Sequence, residues 1–73
     1  MIEQMQSIEI FVNGERFQVP SGGNVADMLE FLKIAPDRVA VELDKALVRK
    51  RDWAATRVAG GARMEVVEFV GGG

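Results

Sequence analysis

One stretch of the chain carries the apolar period of a helix, and it is the only one. Val25, Met28, Leu29 and Leu32 fall at i, i+3, i+4 and i+7, with Asp27, Glu30 and Lys33 on the other side. Asn24 suits the N-cap, and Asp27 three residues on resembles a capping box. Pro36 follows soon after and is expected to block the helix from continuing. One amphipathic helix covers one face of one sheet, and nothing else in 73 residues is left to cover the second face. The expected class is therefore α+β: a sheet with one main helix on one face, and an opposite face that is wet or held by a partner. A chain of this length forms one domain with a thin core, burying only about 60% of the surface its unfolded form exposes.

The strands are read from their alternation. Ile8, Ile10 and Val12 alternate with Glu9, Phe11 and Asn13, and Phe17 and Val19 carry a second arm to Pro20. Asn13-Gly14 between them suits a type I′ turn, so the two arms make a hairpin. Ser21-Gly22-Gly23 is a loop. A phosphate cradle there would need a lysine and a hydroxyl next, and Asn24-Val25 follow instead. Val39, Val41 and Leu43 predict a third strand, Asp44-Lys45 a turn, and Ala46-Leu47-Val48 a short edge strand. Arg49-Lys50-Arg51 reads as a solvated turn that protects this edge. Trp53, the one tryptophan, reads as a lid over one end of the core. Gly60-Gly61 predicts a further turn, and Met64 to Val70 a fifth strand. Residues 1–6 are polar and without period, with Met5 as an alternative start, and are assigned to a flexible N-terminal arm.

In the last strand Met64 and Val66 share one face, while Glu65, Val67 and Phe69 share the other. A face that carries Glu65 belongs to the solvent side, which leaves Val67 and Phe69 exposed. Phe11 points away from Ile10 and Val12 in the same sense. If first and last strands are neighbours, Phe11, Val67 and Phe69 form one apolar patch, and such a patch marks an interaction surface.

The sequence closes on Val70-Gly71-Gly72-Gly73. Glycine lacks Cβ, so this tail can take almost any backbone conformation and enter a channel too narrow for side chains. Extended, the last four residues reach about 13 Å. Two readings stand at this point: an unanchored terminus or linker remnant, or a thread that delivers its carboxylate into another protein's active site.

Composition removes several function classes. Cysteine and histidine are absent, which excludes disulfides, thiolate or imidazole metal sites, a cysteine nucleophile and a histidine base. A formal net charge of −2 without a dense basic face argues against nucleic-acid binding. No apolar run reaches the roughly 20 residues of a membrane span, and no signal-peptide pattern opens the chain, so a cytoplasmic location is expected by default.

Taken together, these segments resemble the ThiS/MoaD family of ubiquitin-like β-grasp proteins, and its ThiS branch, the sulfur carriers of thiamin thiazole biosynthesis. The matching segments are Ile10-Phe11-Val12-Asn13-Gly14, Val25 through Leu32, Val39-Ala40-Val41-Glu42-Leu43, Val48 with Trp53 at its spacing, and Met64-Glu65-Val66-Val67 through Gly73. The MoaD branch usually has a proline-rich approach to its terminal glycines, which Glu68-Phe69-Val70 does not match. The resemblance implies a ubiquitin-like β-grasp domain over residues 7–70, with a mixed sheet of about five strands and a flexible tail at residues 71–73. It implies that the chain is a protein cosubstrate and not an enzyme. The Gly73 carboxylate is the reactive terminus, adenylated by an E1-like ThiF-type enzyme that binds ATP and magnesium, then converted to a thiocarboxylate by a sulfur donor protein. The sulfur goes to thiazole synthase, ThiG. Gly71 and Gly72 thread the tail, and Phe11, Glu65, Val67 and Phe69 are the expected docking residues; the chain itself is expected to bind no metal or cofactor. A MoaD-type carrier for molybdopterin and a ubiquitin-like protein modifier are the alternatives that use the same terminus.

Overall fold

Asn13 and Gly14 both take positive φ, 52° and 84°, as a type I′ turn requires. The turn joins β1 (Ser7–Val12) to β2 (Glu15–Pro20) in an antiparallel pair that sets Ile10 opposite Phe17 and Ile8 opposite Val19. The computed structural model describes residues 6–69. Gln6, assigned from sequence to the arm, extends this ladder, its carbonyl accepting from the Ser21 N–H at 3.0 Å.

The helix α1 runs Val25–Phe31 behind a complete capping box. The Asp27 N–H donates to the Asn24 side chain at 2.8 Å, and the Asn24 N–H donates to Asp27 Oδ2 at 3.0 Å. The helix does not wait for Pro36 to stop it. Lys33 adopts positive φ, 61°, and the Lys33 and Ile34 N–H groups donate to the Glu30 and Leu29 carbonyls. This is a Schellman ending with lysine in the place glycine usually takes. Pro36 instead opens a 3₁₀ turn, Pro36–Arg38, where its fixed φ suits the first position.

After that turn β3 (Val39–Leu43) and β4 (Ala46–Val48) form a second hairpin. Its turn residues, Asp44 and Lys45, again have positive φ, 50° and 74°. The basic trio stands at the start of a second 3₁₀ segment, Lys50–Ala55, and not in a simple turn. Trp53 on this segment is buried, and its indole N–H donates to the Val48 carbonyl at 2.9 Å. The segment packs against α1, so Trp53 closes one end of the core. The chain beyond it is pinned beside the helix start: the Val25 N–H bonds the Thr56 carbonyl, and the Val58 N–H bonds the Gly23 carbonyl, each at 3.0 Å.

The last strand, β5 (Arg63–Glu68), takes the centre of the sheet, in the order β2-β1-β5-β3-β4. It lies parallel to β1 and antiparallel to β3, so the sheet is mixed. This is the ubiquitin-like β-grasp arrangement. One face of the sheet, with Ile10, Val12, Val19, Val41 and Met64, meets Val25, Met28 and Leu29 of α1 in a continuous core. Trp53, Val58 and Ala62 complete it. None of the described residues is a buried polar or charged one, so apolar packing dominates the core, with the Trp53 indole N–H bonded to the Val48 carbonyl.

Candidate docking face and strand exit

The sheet face away from α1 carries the alternate residues of all five strands. From β5 these are Arg63, Glu65 and Val67; from β1, Ser7, Glu9 and Phe11; from β2, Arg16, Gln18 and Pro20; from β3, Ala40 and Glu42; from β4, Leu47. Val67 and Phe69 are each 57% exposed, as their alternation predicts. Phe69 lies one residue past β5 but stays in register with β3, its N–H donating to the Arg38 carbonyl at 2.7 Å.

Phe11 is placed differently from expectation. The first and last strands are neighbours, yet Phe11 stands opposite Arg63, four residues before Val67. At about 3.3 Å per residue that separates them by roughly 13 Å along the strand. The Arg63 guanidinium lies over the Phe11 ring, 4.5 Å from its centroid, and the ring is only half-exposed. A cation on its π-face shields Phe11, and Arg63 and Glu65 interrupt the single patch that the sequence predicts. The apolar surface by the strand exit consists of Val67 and Phe69 with Ala40 beside them. Leu47, 59% exposed on the edge strand, is a further apolar residue on this face that sequence reasoning left aside. Its place in the register, opposite Glu42, was the signal available.

Glu65 is exposed and stands directly opposite Glu42 of β3. Like charges in a cross-strand pair are unfavourable by about 0.2–1 kcal/mol. The pair gives the face an acidic centre between its apolar ends, suited to a cationic group on a partner.

The same strand is fixed on its other edge by a residue that sequence reasoning used only for a turn. β1 pairs with β5 only at Phe11↔Arg63 and Val12↔Met64. Beyond that the Asn13 N–H donates to the Met64 carbonyl at 2.8 Å. The Asn13 side chain then takes over: its Oδ1 accepts from the Val66 N–H at 2.8 Å, and its Nδ2 donates to the Val66 carbonyl at 3.1 Å. Asp44 does a related job at the start of β5, with the Arg63 N–H donating to its Oδ1 at 3.0 Å. Both are turn residues, so their side-chain reach to a strand far along the chain has no local sequence signal.

Val70, Gly71, Gly72 and Gly73, which hold the expected reactive terminus and thread, lie outside the described residues. Among the described residues, no group of three or more His, Cys, Asp or Glu side chains is placed to hold a metal ion. No helix among them is long and apolar enough to cross a membrane.

Residues 5–73 match the model of the ThiS family, nearly the whole chain and through the three terminal glycines. This chain belongs to the ThiS family. The crystal structure of the thiamine biosynthesis protein ThiS from Geobacter metallireducens superposes on this ThiS-family chain with a TM-score of 0.77 at 33% identity. The match covers 90% of this chain and all of that one. A solution structure of a thiamine biosynthesis protein from the same organism gives a TM-score of 0.71 over 90% of this chain and 88% of that one. A thiazole synthase from Magnetococcus marinus is 36% identical over 90% of this chain, which spans only 20% of that protein's length. A protein of Pyropia yezoensis, ycf40, is 33% identical over 92% of this chain and 94% of its own. Membership places the chain among thiamin-related sulfur carriers.

Proposed function

We propose that this chain carries sulfur for thiazole formation as a thiocarboxylate on Gly73. The observation that carries the reading is the family match through Gly71, Gly72 and Gly73, which follow in sequence the central strand of the sheet. A carboxylate is a poor acyl donor because its leaving group would be oxide. Activation therefore begins with attack of the Gly73 carboxylate on the α-phosphate of ATP, bound with magnesium on an E1-like ThiF-type partner; pyrophosphate leaves and the acyl-adenylate remains. A hydrosulfide sulfur then adds to the acyl carbon, and AMP leaves with the electron pair of the broken C–O bond. The thiocarboxylate that results is a soft nucleophile for a ThiG-type thiazole synthase. The presence of this module within a protein named thiazole synthase supports that choice of recipient.

In this scheme the chain is a cosubstrate. It offers the terminus and a docking face in which Val67 and Phe69 are the apolar contacts and Glu65 with Glu42 the acidic ones. The cationic and metal groups that stabilise the transferring phosphate belong to the partner. The test is intact-protein mass spectrometry after incubation with ATP, magnesium, a ThiF-type enzyme and sulfide. The expected result is a mass gain equal to replacing one oxygen by sulfur, localised to the Gly73 peptide. An unchanged mass, with the same enzyme active on another carrier, overturns the reading.

A further inference from the structure

We propose that Asn13 is a positioning residue that fixes the strand exit, and with it the docking residues Val67 and Phe69, for a partner. The proposal rests on the carrier reading above for what Val67 and Phe69 dock against, and on the hydrogen bonds of Asn13 for how they are held. β5 is held by β3 as far as Phe69, but its other edge loses β1 after Val12. At that point the chain of β1 must turn back into β2, so no further backbone is available to pair with β5. The side-chain amide of Asn13 replaces it. A primary amide offers one acceptor and two donor hydrogens, which lets it meet both the N–H and the C=O of Val66 as a peptide group would.

The two tasks of Asn13 favour the same residue. Its φ of 52° belongs to the left-handed region, where asparagine is tolerated better than most residues. That conformation lets the main chain reverse while the side chain continues toward Val66. Glycine would serve the turn equally but could not make the bonds, so the turn does not account for the amide. Val66 is the last residue of β5 for which the structure gives hydrogen bonds on the β1 side. A strand bonded on one edge only is freer to bend and twist, and a partner that docks on it must then restore the lost order at a cost in affinity. Asn13 acts through the Val66 peptide and touches no reacting group.

The test compares Asn13→Gly with wild type and with Asn24→Ala, which weakens the fold at the far helix cap. Two quantities are read: steady-state adenylation by a ThiF-type enzyme, and backbone ¹⁵N order parameters at Val67, Glu68 and Phe69. In Asn13→Gly the order parameters are expected to fall, and KM to rise about fivefold or more with a smaller change in kcat, because the loosened residues include Val67 and Phe69, which dock, and no reacting group is touched. Asn24→Ala is expected to change neither. Asn13→Asp, which keeps the acceptor for the Val66 N–H, is expected to fall between glycine and wild type in both. Unchanged order parameters in Asn13→Gly overturn the proposal, and so does a wild-type KM. If the wild-type chain itself is not adenylated, the carrier reading fails, and the order parameters alone decide whether Asn13 directs the exit.

Discussion

Replacing Trp53 by phenylalanine separates the two ways in which this side chain holds the domain together. Trp53 is 4% exposed, joins the apolar core, and donates its indole N–H to the Val48 carbonyl at 2.9 Å. Lys50 lies over its ring, with the ammonium 5.9 Å from the centroid. Phenylalanine keeps an aromatic face for Lys50 and for α1 but removes the donor and the volume of the second ring. A carbonyl left without its partner costs about 1–3 kcal/mol. The space left behind adds to that, for a total of about 2–4 kcal/mol. Trp53→Ala, which also removes the remaining ring, is expected to cost about 3–5 kcal/mol. The whole domain, at roughly 0.05–0.15 kcal/mol per residue over 73 residues, has only about 4–11 kcal/mol. The phenylalanine variant is therefore expected to melt at least about 8 °C lower. Urea unfolding followed by far-ultraviolet circular dichroism measures the loss without the tryptophan signal. A loss below about 1 kcal/mol at unchanged m would refute the reasoning, because it would mean that neither the bond to Val48 nor the second ring contributes what burial implies.

Three other perturbations probe the face, the helix start and the terminus. Phe69→Asp is expected to change stability by no more than about 0.5 kcal/mol, since the ring is exposed, while weakening binding to a ThiF-type enzyme; calorimetry and a binding titration on one preparation read both, and a large loss of stability would place the ring in packing instead. Asn24→Ala removes one half of the capping box and should cost about 1 kcal/mol in urea unfolding; no change would mean that solvent replaces the cap. Deletion of Gly73, or Gly73→Ala, should leave the melting curve unchanged and abolish adenylation; full turnover by either variant is the result that sinks the carrier chemistry.

The parts of the fold legible in the sequence are those written locally. The Asn13-Gly14 and Asp44-Lys45 turns, the Asn24–Asp27 capping box and the alternation of β1, β3 and β5 each lie within a few residues, so residue type reports conformation directly. The helix end was legible only in part. Pro36 marks a place where a helix cannot continue, but the chain had already turned at Lys33, a residue with no strong preference for positive φ. Both 3₁₀ segments were missed because six residues or fewer give no usable apolar period. For the candidate face, alternation identified Val67 and Phe69 as exposed. It could not report that Arg63 covers Phe11, which depends on the parallel register of strands some fifty residues apart. The reach of Asn13 to Val66 was hidden for the same reason, since a side chain's distant partner leaves no trace in its neighbours.

The central place of β5 has a consequence for the way the molecule is made. The two hairpins, β1 with β2 and β3 with β4, share no ladder with each other; each meets only β5, which follows both of them along the chain. A nascent or prematurely ended chain that lacks residues 63–68 has two unconnected ribbons and a helix with no complete surface to sit on. The glycines emerge immediately after the segment that closes the sheet. Under the carrier reading, a chain that extends as far as Gly73 already contains the segment that closes the sheet, so a product truncated before residue 63 lacks the closed sheet and the reactive glycine together.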